Sequence, residues 1–246
     1  MCGKLKRKQT VQTEKRPVDT VTFRHEYKYM IDSIQESILR IKADVILEPD
    51  PNAADDGTYL IRSLYFDDVD DTCLMANCAG TDRRAKFRIR FYNEDIRNIH
   101  LEKKSKLRGM CHKDSCMLTP QECIQMQNGV IPDVTDEMPE IKKKLLLEMK
   151  LAGMQPKVIV TYQRIAYVYP AGNVRVTIDR NITSSPDVED FLDRKYRERP
   201  VLPLGRSLLE VKWDEVLPRH IKQNLQMDCL TWTAFSKYYL CRKYHL

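Results

Sequence analysis

Residues 85–93 read Ala-Lys-Phe-Arg-Ile-Arg-Phe-Tyr-Asn. Successive side chains of a β-strand point to opposite faces. Lys86, Arg88 and Arg90 therefore share one face, and Ala85, Phe87, Ile89 and Phe91 share the other. Three further segments repeat the pattern: Lys104 and Lys106 in residues 100–107 (HLEKKSKL), Arg164 in 158–168 (VIVTYQRIAYV), and Arg175 in 173–181 (NVRVTIDRN), with Val174, Val176 and Ile178 opposite Arg175. Either these cations converge on one space or each faces water, and periodicity alone leaves both open.

Convergence requires a polyanion, because like charges within a Debye length repel unless an opposite charge joins them. Carboxylates in the same phase favour convergence: Glu102 precedes Lys104, Asp179 follows Arg175, Glu26 lies between Arg24 and Lys28, and Glu210 lies beside Lys212. Many cations with a few carboxylates suit phosphates plus a divalent metal, since hard cations take oxygen ligands.

The chain has 246 residues, a net charge of +6 and eight cysteines. One large core is within reach of that length. The charge is too mild for a general nucleic-acid binder, and no basic motif interleaved with aromatics is present. No apolar run approaches the roughly 18 residues of a membrane span, and no apolar leader opens the chain. A soluble, cytoplasmic protein is expected. The cysteines form no CxxC pair. A zinc site from Cys111, His112, Cys116 and Cys123 is conceivable, but reduced, unpaired thiols are the expected state.

Residues 1–19 are polar and basic without periodicity and read as a disordered tail; 20–246 read as one domain. A first strand is expected over 22–30. It leads into a helix capped by Asp32 or Ser33, with Ile34, Ile38 and Ile41 on one face. Strands follow around 58–68, 85–93 and 100–107, with a short helical piece after the acidic link 67–71. A further short strand is expected at 115–118. Thr119, Pro120 and Glu122 mark a helix start, and a second helix spans 137–152, stopped by Gly153. Strands at 157–169 and 173–180 meet at a Pro-Ala-Gly-Asn turn. The last strand is 206–214, followed by helices near 218–227 and 230–243. About eight antiparallel strands can close into a barrel. Unpaired buried charge costs several kcal/mol per group, so a charged interior must hold water, metal and a charged ligand.

The segments RHEYKY (24–29), SLYFDD (63–68), FRIRFYN (87–93), LEKKSK (101–106), TYQR (161–164), VRVTIDR (174–180), LLEVKW (208–213) and FSKYY (235–239) resemble, in order and spacing, the VTC domain. That family belongs to the triphosphate tunnel metalloenzymes. The resemblance covers roughly residues 20–243. It implies an α+β fold, an eight-stranded antiparallel β tunnel barrel with flanking and C-terminal plug helices. It also implies polyphosphate polymerase activity, moving the γ-phosphate of ATP onto a polyphosphate chain with Mn2+ or Mg2+.

Carried over by residue, the resemblance makes Lys28, Arg88, Arg90, Lys104, Arg164 and Arg175 the phosphate-holding, catalytic cations. It brings Lys237 in from the final helix, gives Glu210 to the metal, and places Tyr65 near the tunnel mouth, on a phosphate or a base. For Arg24, Glu26, Glu102, Asp179 and Lys212 an orienting ion-pair role is equally compatible. The superfamily's ExExK signature on the first strand is reduced here, because Arg24 stands at its first glutamate position. That leaves Glu210 as the principal metal ligand.

Phosphoryl transfer needs positioning and charge neutralisation rather than a covalent nucleophile, so neither the cysteines nor the five histidines are required. Expected partners are ATP and polyphosphate or triphosphate, without nucleic acid. Two alternatives remain: a metal-dependent tripolyphosphatase or nucleoside triphosphatase, and a non-catalytic polyphosphate or inositol-phosphate binding module.

Overall fold

A computed structural model describes residues 23–54, 56–193 and 195–245. The expected tail over 1–19 lies outside the described residues. One antiparallel sheet organises the chain. Its strands are β1 (His25–Asp32), β2 (Glu48–Pro49), β3 (Thr58–Asp67), β4 (Arg84–Tyr92), β5 (Ile99–Leu107), β6 (Met110–Leu118), β7 (Gln155–Tyr169), β8 (Val174–Ser185), β9 (Arg199–Pro200) and β10 (Arg206–Trp213). Eight of them run in the order β1-β10-β8-β7-β3-β4-β5-β6, with β2 added to β7 and β9 to β8. The sheet curls until its two edges meet at a single antiparallel bridge between Arg24 and Cys111. This is the α+β tunnel architecture expected from the sequence.

The helices are α1 (Ser33–Ile46), α2 (Thr72–Cys78), α3 (Pro120–Gln127), α4 (Glu140–Ala152), α5 (Arg219–Asn224) and α6 (Lys237–Lys243). Asp32 caps α1: its side chain accepts from the Gln35 backbone N–H, and the Gln35 side chain accepts from the Asp32 backbone N–H in return. Thr119 and Glu122 form the same reciprocal box at α3, with Pro120 at the first helical position. Such caps satisfy amides that have no partner within the helix. Gly153 ends α4 at φ 62°, a conformation other residues adopt only under strain.

Two apolar clusters lie outside the curl. Phe87, Ile89 and Phe91 of β4 pack with Leu101 of β5 and with Met126, Leu145 and Leu146 of α3 and α4. Val176 and Ile178 of β8 and Leu209 and Val211 of β10 pack with Leu39 and Ala43 of α1. Burying each such side chain contributes about 1.5–3 kcal/mol, so the helices fix the sheet from outside and leave its inner face free for charge. A third cluster lies within the curl, where Val158, Val160 and Leu208 join Tyr238 and Cys241 of α6. The expected plug is therefore present, and it fills the apolar end of the interior.

Three local expectations change. β6 is nine residues rather than the short strand at 115–118. The final helix occupies only Lys237–Lys243, because Trp232 instead bridges to Tyr29 of β1 and Thr233 donates to the Lys28 carbonyl. The stripe of Ile34, Ile38 and Ile41 on α1 faces outward at 71%, 46% and 67% exposure, while Leu39 and Ala43 make the buried contact. Among the described residues no helix is long and apolar enough to cross a membrane.

Candidate functional site

The strand register places the charges. Glu26 and Lys28 of β1 lie opposite Lys212 and Glu210 of β10. On β4 and β5, Lys86 pairs with Lys104 and Arg88 with Glu102; on β7 and β8, Arg164 pairs with Asp179. Directly paired residues share a face, so these side chains line one inner surface.

They form two linked groups around buried carboxylates. In the first, Glu26 binds Lys104 at 2.8 Å and Lys28 at 3.3 Å, while Glu210 binds Lys212 at 2.6 Å and Lys28 at 3.4 Å. Glu102 extends the row, with Arg88 at 2.6 Å and Lys113 at 3.1 Å. In the second, the Arg164 guanidinium forks onto Asp179 at 2.6 and 2.8 Å, and Lys237 of α6 reaches the same carboxylate at 2.6 Å. Arg90 joins the groups: it donates to Ser63 Oγ at 2.9 Å and to Tyr162 Oη at 3.0 Å, and lies 3.9 Å from Glu102.

Burial penalises each charged form, and the neighbours decide the outcome. Burial and Glu210 raise the Glu26 carboxyl, yet Lys104, Lys28 and Lys212 bring it down to about 2. Glu210 is held well below the usual carboxylate range against burial by Lys212 and Lys28. Glu102 is lowered against burial by Arg88 and Arg90, and Asp179 by Arg164 and Lys237. Burial lowers Lys28, but Glu26 and Glu210 more than reverse it. The carboxylates are therefore ionised near neutrality. Nine basic side chains (Lys28, Lys86, Arg88, Arg90, Lys104, Lys113, Arg164, Lys212 and Lys237) share the surface with four carboxylates. Cations exceed carboxylates there, which is the electrostatic condition for holding a polyanion.

Of the residues expected to bind phosphate, Lys28, Arg88, Arg90, Lys104, Arg164 and Lys237 meet on this surface. Arg175 shares the Asp179 face of β8, but its guanidinium is held at one end by Asp50 at 2.6 Å and Tyr59 at 2.5 Å. Tyr65 is not at an opening: it is buried, its ring lies 5.4 Å from Tyr238, and its hydroxyl accepts from Arg88 at 3.0 Å. Arg24 binds Asp214 at 2.7 Å at the rim. Glu26, Glu102, Asp179 and Lys212 all take part in the ion-pair rows described above.

Two participants escaped the sequence reading. Lys113 falls outside the strand expected at 115–118 because β6 begins at Met110. Tyr162 belongs to the TYQR segment, where nothing in the sequence marks it, yet Lys237 lies 4.7 Å and Arg164 5.3 Å from its ring centre. Register irregularity between Thr161 and Gln163 sets Tyr162 apart from regular pairing with β8. Cation–π attraction there favours both cations by about 0.5–2 kcal/mol.

For a divalent cation, Glu210 and Glu26 are neighbouring hard oxygen donors on adjacent strands, and Mg2+ is commonly held by one or two carboxylates plus substrate phosphates. The donor chemistry therefore fits. Among the described residues no cluster of three or more His, Cys, Asp or Glu is placed to hold a metal. The cysteine–histidine quartet does not converge: Cys111 donates to Glu26 at 3.1 Å on the inner wall, whereas Cys116 and Cys123 belong to the outer core. The seven described cysteines are free thiols.

No curated protein matches the chain. Among solved structures it is similar to the putative adenylyl cyclase HpAC1 from Hippeastrum, described as having a dominant triphosphatase activity. The identity is 16%, the TM-score 0.52, and the coverage 92% of this chain and 97% of that one. A putative adenylate cyclase from Bacillus halodurans matches at 14% identity and TM-score 0.49, over 87% of this chain and 95% of that one. The Hippeastrum likeness agrees in fold with the curled antiparallel sheet. The VTC domain matches residues 23–245, nearly the whole chain, and the protein belongs to the VTC domain family.

Proposed function

We propose that the protein is a polyphosphate polymerase that transfers the γ-phosphate of ATP to the end of a polyphosphate chain held on the inner wall. The observation that carries this reading is the excess of cations over ionised carboxylates on a surface lined by strands and plugged at its apolar end by α6. Arg90 presents a planar fork suited to phosphate oxygens, Arg88 and Arg164 keep N–H donors beyond those bound to Glu102 and Asp179, and Lys28, Lys104 and Lys237 act as point charges. The existing ion pairs hold these side chains in place before the anion arrives, so little ordering remains to be done at binding. Arg175 would meet the anion at one end of the row. Tyr65, through Arg88, positions rather than touches the chain. A divalent cation such as Mn2+ or Mg2+ on Glu210, with Glu26 beside it, would neutralise charge on the phosphate oxygens and the leaving diphosphate. The acceptor phosphate is itself a nucleophile, so this chain supplies alignment and charge rather than an attacking side chain.

A triphosphatase reading uses the same wall with water as acceptor, and the activity described for the Hippeastrum protein favours keeping it. Product balance separates the two. Purified protein with ATP and Mn2+ is expected to form ADP and long chains resolved on a polyphosphate gel, with little free phosphate. Glu210→Gln keeps the side-chain shape but removes the charge a hard cation requires, and is expected to abolish turnover while tripolyphosphate binding persists. Free phosphate equal to the nucleotide consumed would replace the polymerase by the hydrolase. Binding without any ATP consumption would leave a polyanion-binding module.

A further inference from the structure

One inner cation differs from the rest. Lys28, Arg88, Lys104, Lys113, Arg164, Lys212 and Lys237 each lie within 3.4 Å of a carboxylate oxygen, and Arg90 lies 3.9 Å from one. Lys86, the third residue of β4, has no carboxylate at ion-pair distance among the described residues. Its Nζ donates to Asn77 Oδ1 of α2 at 2.8 Å and to Ser236 Oγ, the N-cap of α6, at 3.0 Å, and lies 5.2 Å from the centre of the Tyr238 ring. Asn77 is oriented for this, because its own amide donates to the Cys73 carbonyl at 2.7 Å. A neutral amine has two N–H donors and an ammonium has three. The two acceptors take both N–H donors of the neutral form and leave its lone pair free.

The groups facing Lys86 act against its charge. Lys104 is directly opposite on β5, Arg84 precedes it on β4, and Lys28 approaches from β1. From α2, the Cys73 thiol is protonated, pushed up to about 12 by burial. Asp67 ends β3 nearby, but its carboxylate accepts from the amides of Asp68, Cys73 and Leu74 and from the Tyr238 hydroxyl of α6. Burial first, and then Lys28, Lys104 and Arg84, push the Lys86 ammonium down to about 7.

We propose that Lys86 is the proton-taking cation of the wall: largely neutral in the empty protein under mildly alkaline conditions, it binds a proton from solvent when polyphosphate enters, so anion binding and proton binding are one coupled event. The inference rests on the polyanion reading above. In the coupled step the Nζ lone pair forms a third N–H bond with a proton given up by buffer acid, and the phosphate oxygens supply the counter-charge that no carboxylate supplies. The wall then carries less self-repulsion when empty than its composition suggests, and full positive charge only when it is occupied.

The test is calorimetric titration of the full chain with tripolyphosphate at pH 8 in buffers of different ionisation enthalpy, for the parent and for Lys86→Arg. A group titrating near pH 7 is about nine-tenths deprotonated one pH unit higher. The parent is therefore expected to take up about 0.9 proton more than Lys86→Arg, whose charge is permanent. Above pH 7 its affinity should also fall about tenfold per pH unit relative to that variant. In a second, variant-independent measurement, the 13Cε resonance of Lys86 should titrate near pH 7 in the empty protein and above pH 10 with tripolyphosphate. Equal proton uptake by both proteins, or a Lys86 resonance that titrates above pH 10 when empty, overturns the proposal while leaving the polyanion site intact. Absence of tripolyphosphate binding by the parent overturns both.

Discussion

Replacing Arg164 by leucine probes what the ion pairs do for the fold. Asp179 is fully buried, and Arg164 supplies two of its three charge-assisted bonds, at 2.6 and 2.8 Å; Lys237 supplies the third. Burial alone would raise the Asp179 carboxyl, and Arg164 is the foremost group holding it down. Breaking one side of a buried pair typically costs 3–5 kcal/mol, because a charge is left uncompensated. Lys237 remains, so the cost should be near the lower end, about 3 kcal/mol. Relief of repulsion between Arg164 and Lys212 offsets only part of it, since Lys212 already rests on Glu210. In a chain of this length each kcal/mol moves the melting temperature by about 2–4 °C, so a loss of roughly 6–12 °C is expected in a thermal melt of the empty protein. Adding Asp179→Asn removes the orphaned charge and should recover part of the loss, as a coupling measurable in a double-mutant cycle. An Arg164→Leu protein within about 0.5 kcal/mol of the parent would refute the assignment of Arg164 and Asp179 as a structural pair.

Arg90→Ala should behave differently, because the nearest carboxylate to Arg90, Glu102, lies 3.9 Å away and its hydrogen bonds go to Ser63 and Tyr162. Tripolyphosphate affinity should fall by about 1.5–3 kcal/mol, or roughly 10- to 150-fold, for one lost charge-assisted contact, and unchanged affinity in a calorimetric titration would contradict its placement on the anion. Acid should destabilise the protein through Glu26. Its carboxyl is depressed to about 2 in the fold against 4.5 for an unperturbed glutamate, so the fold binds fewer protons than the unfolded chain between those values. The stability it contributes is complete above about pH 5 and is lost as pH falls towards 2. Urea midpoints that drop less for Glu26→Gln than for the parent between pH 6 and pH 3 would confirm this, and parallel curves would exclude it.

The alternation of cation and apolar residue in 85–93 carried the essential information. Phe87, Ile89 and Phe91 became outer core and Arg88 and Arg90 inner wall, as a period of two requires. Caps were equally legible at Asp32 and at Thr119 with Glu122, since their signals are local. Partnership was not legible. Asp50 reaches Arg175 from a loop 125 positions away, and nothing near either residue announces it. β6 resisted because Met110–Leu118 places His, Lys, Asp and Ser among its apolar residues, as suits a strand that ends the sheet. In α1 the apolar stripe exists, but periodicity gives a stripe without saying what covers it, and here the shorter Leu39–Ala43 contact faces the sheet.

The most direct measurement of the central claim is a crystal structure of the protein grown with tripolyphosphate. The account predicts phosphorus density along the inner wall, with oxygens within hydrogen-bond distance of Arg88, Arg90, Lys104 and Lys237, and Lys86 turned toward the same anion. Tripolyphosphate found only on the outer surface, with the inner wall filled by water, would contradict it.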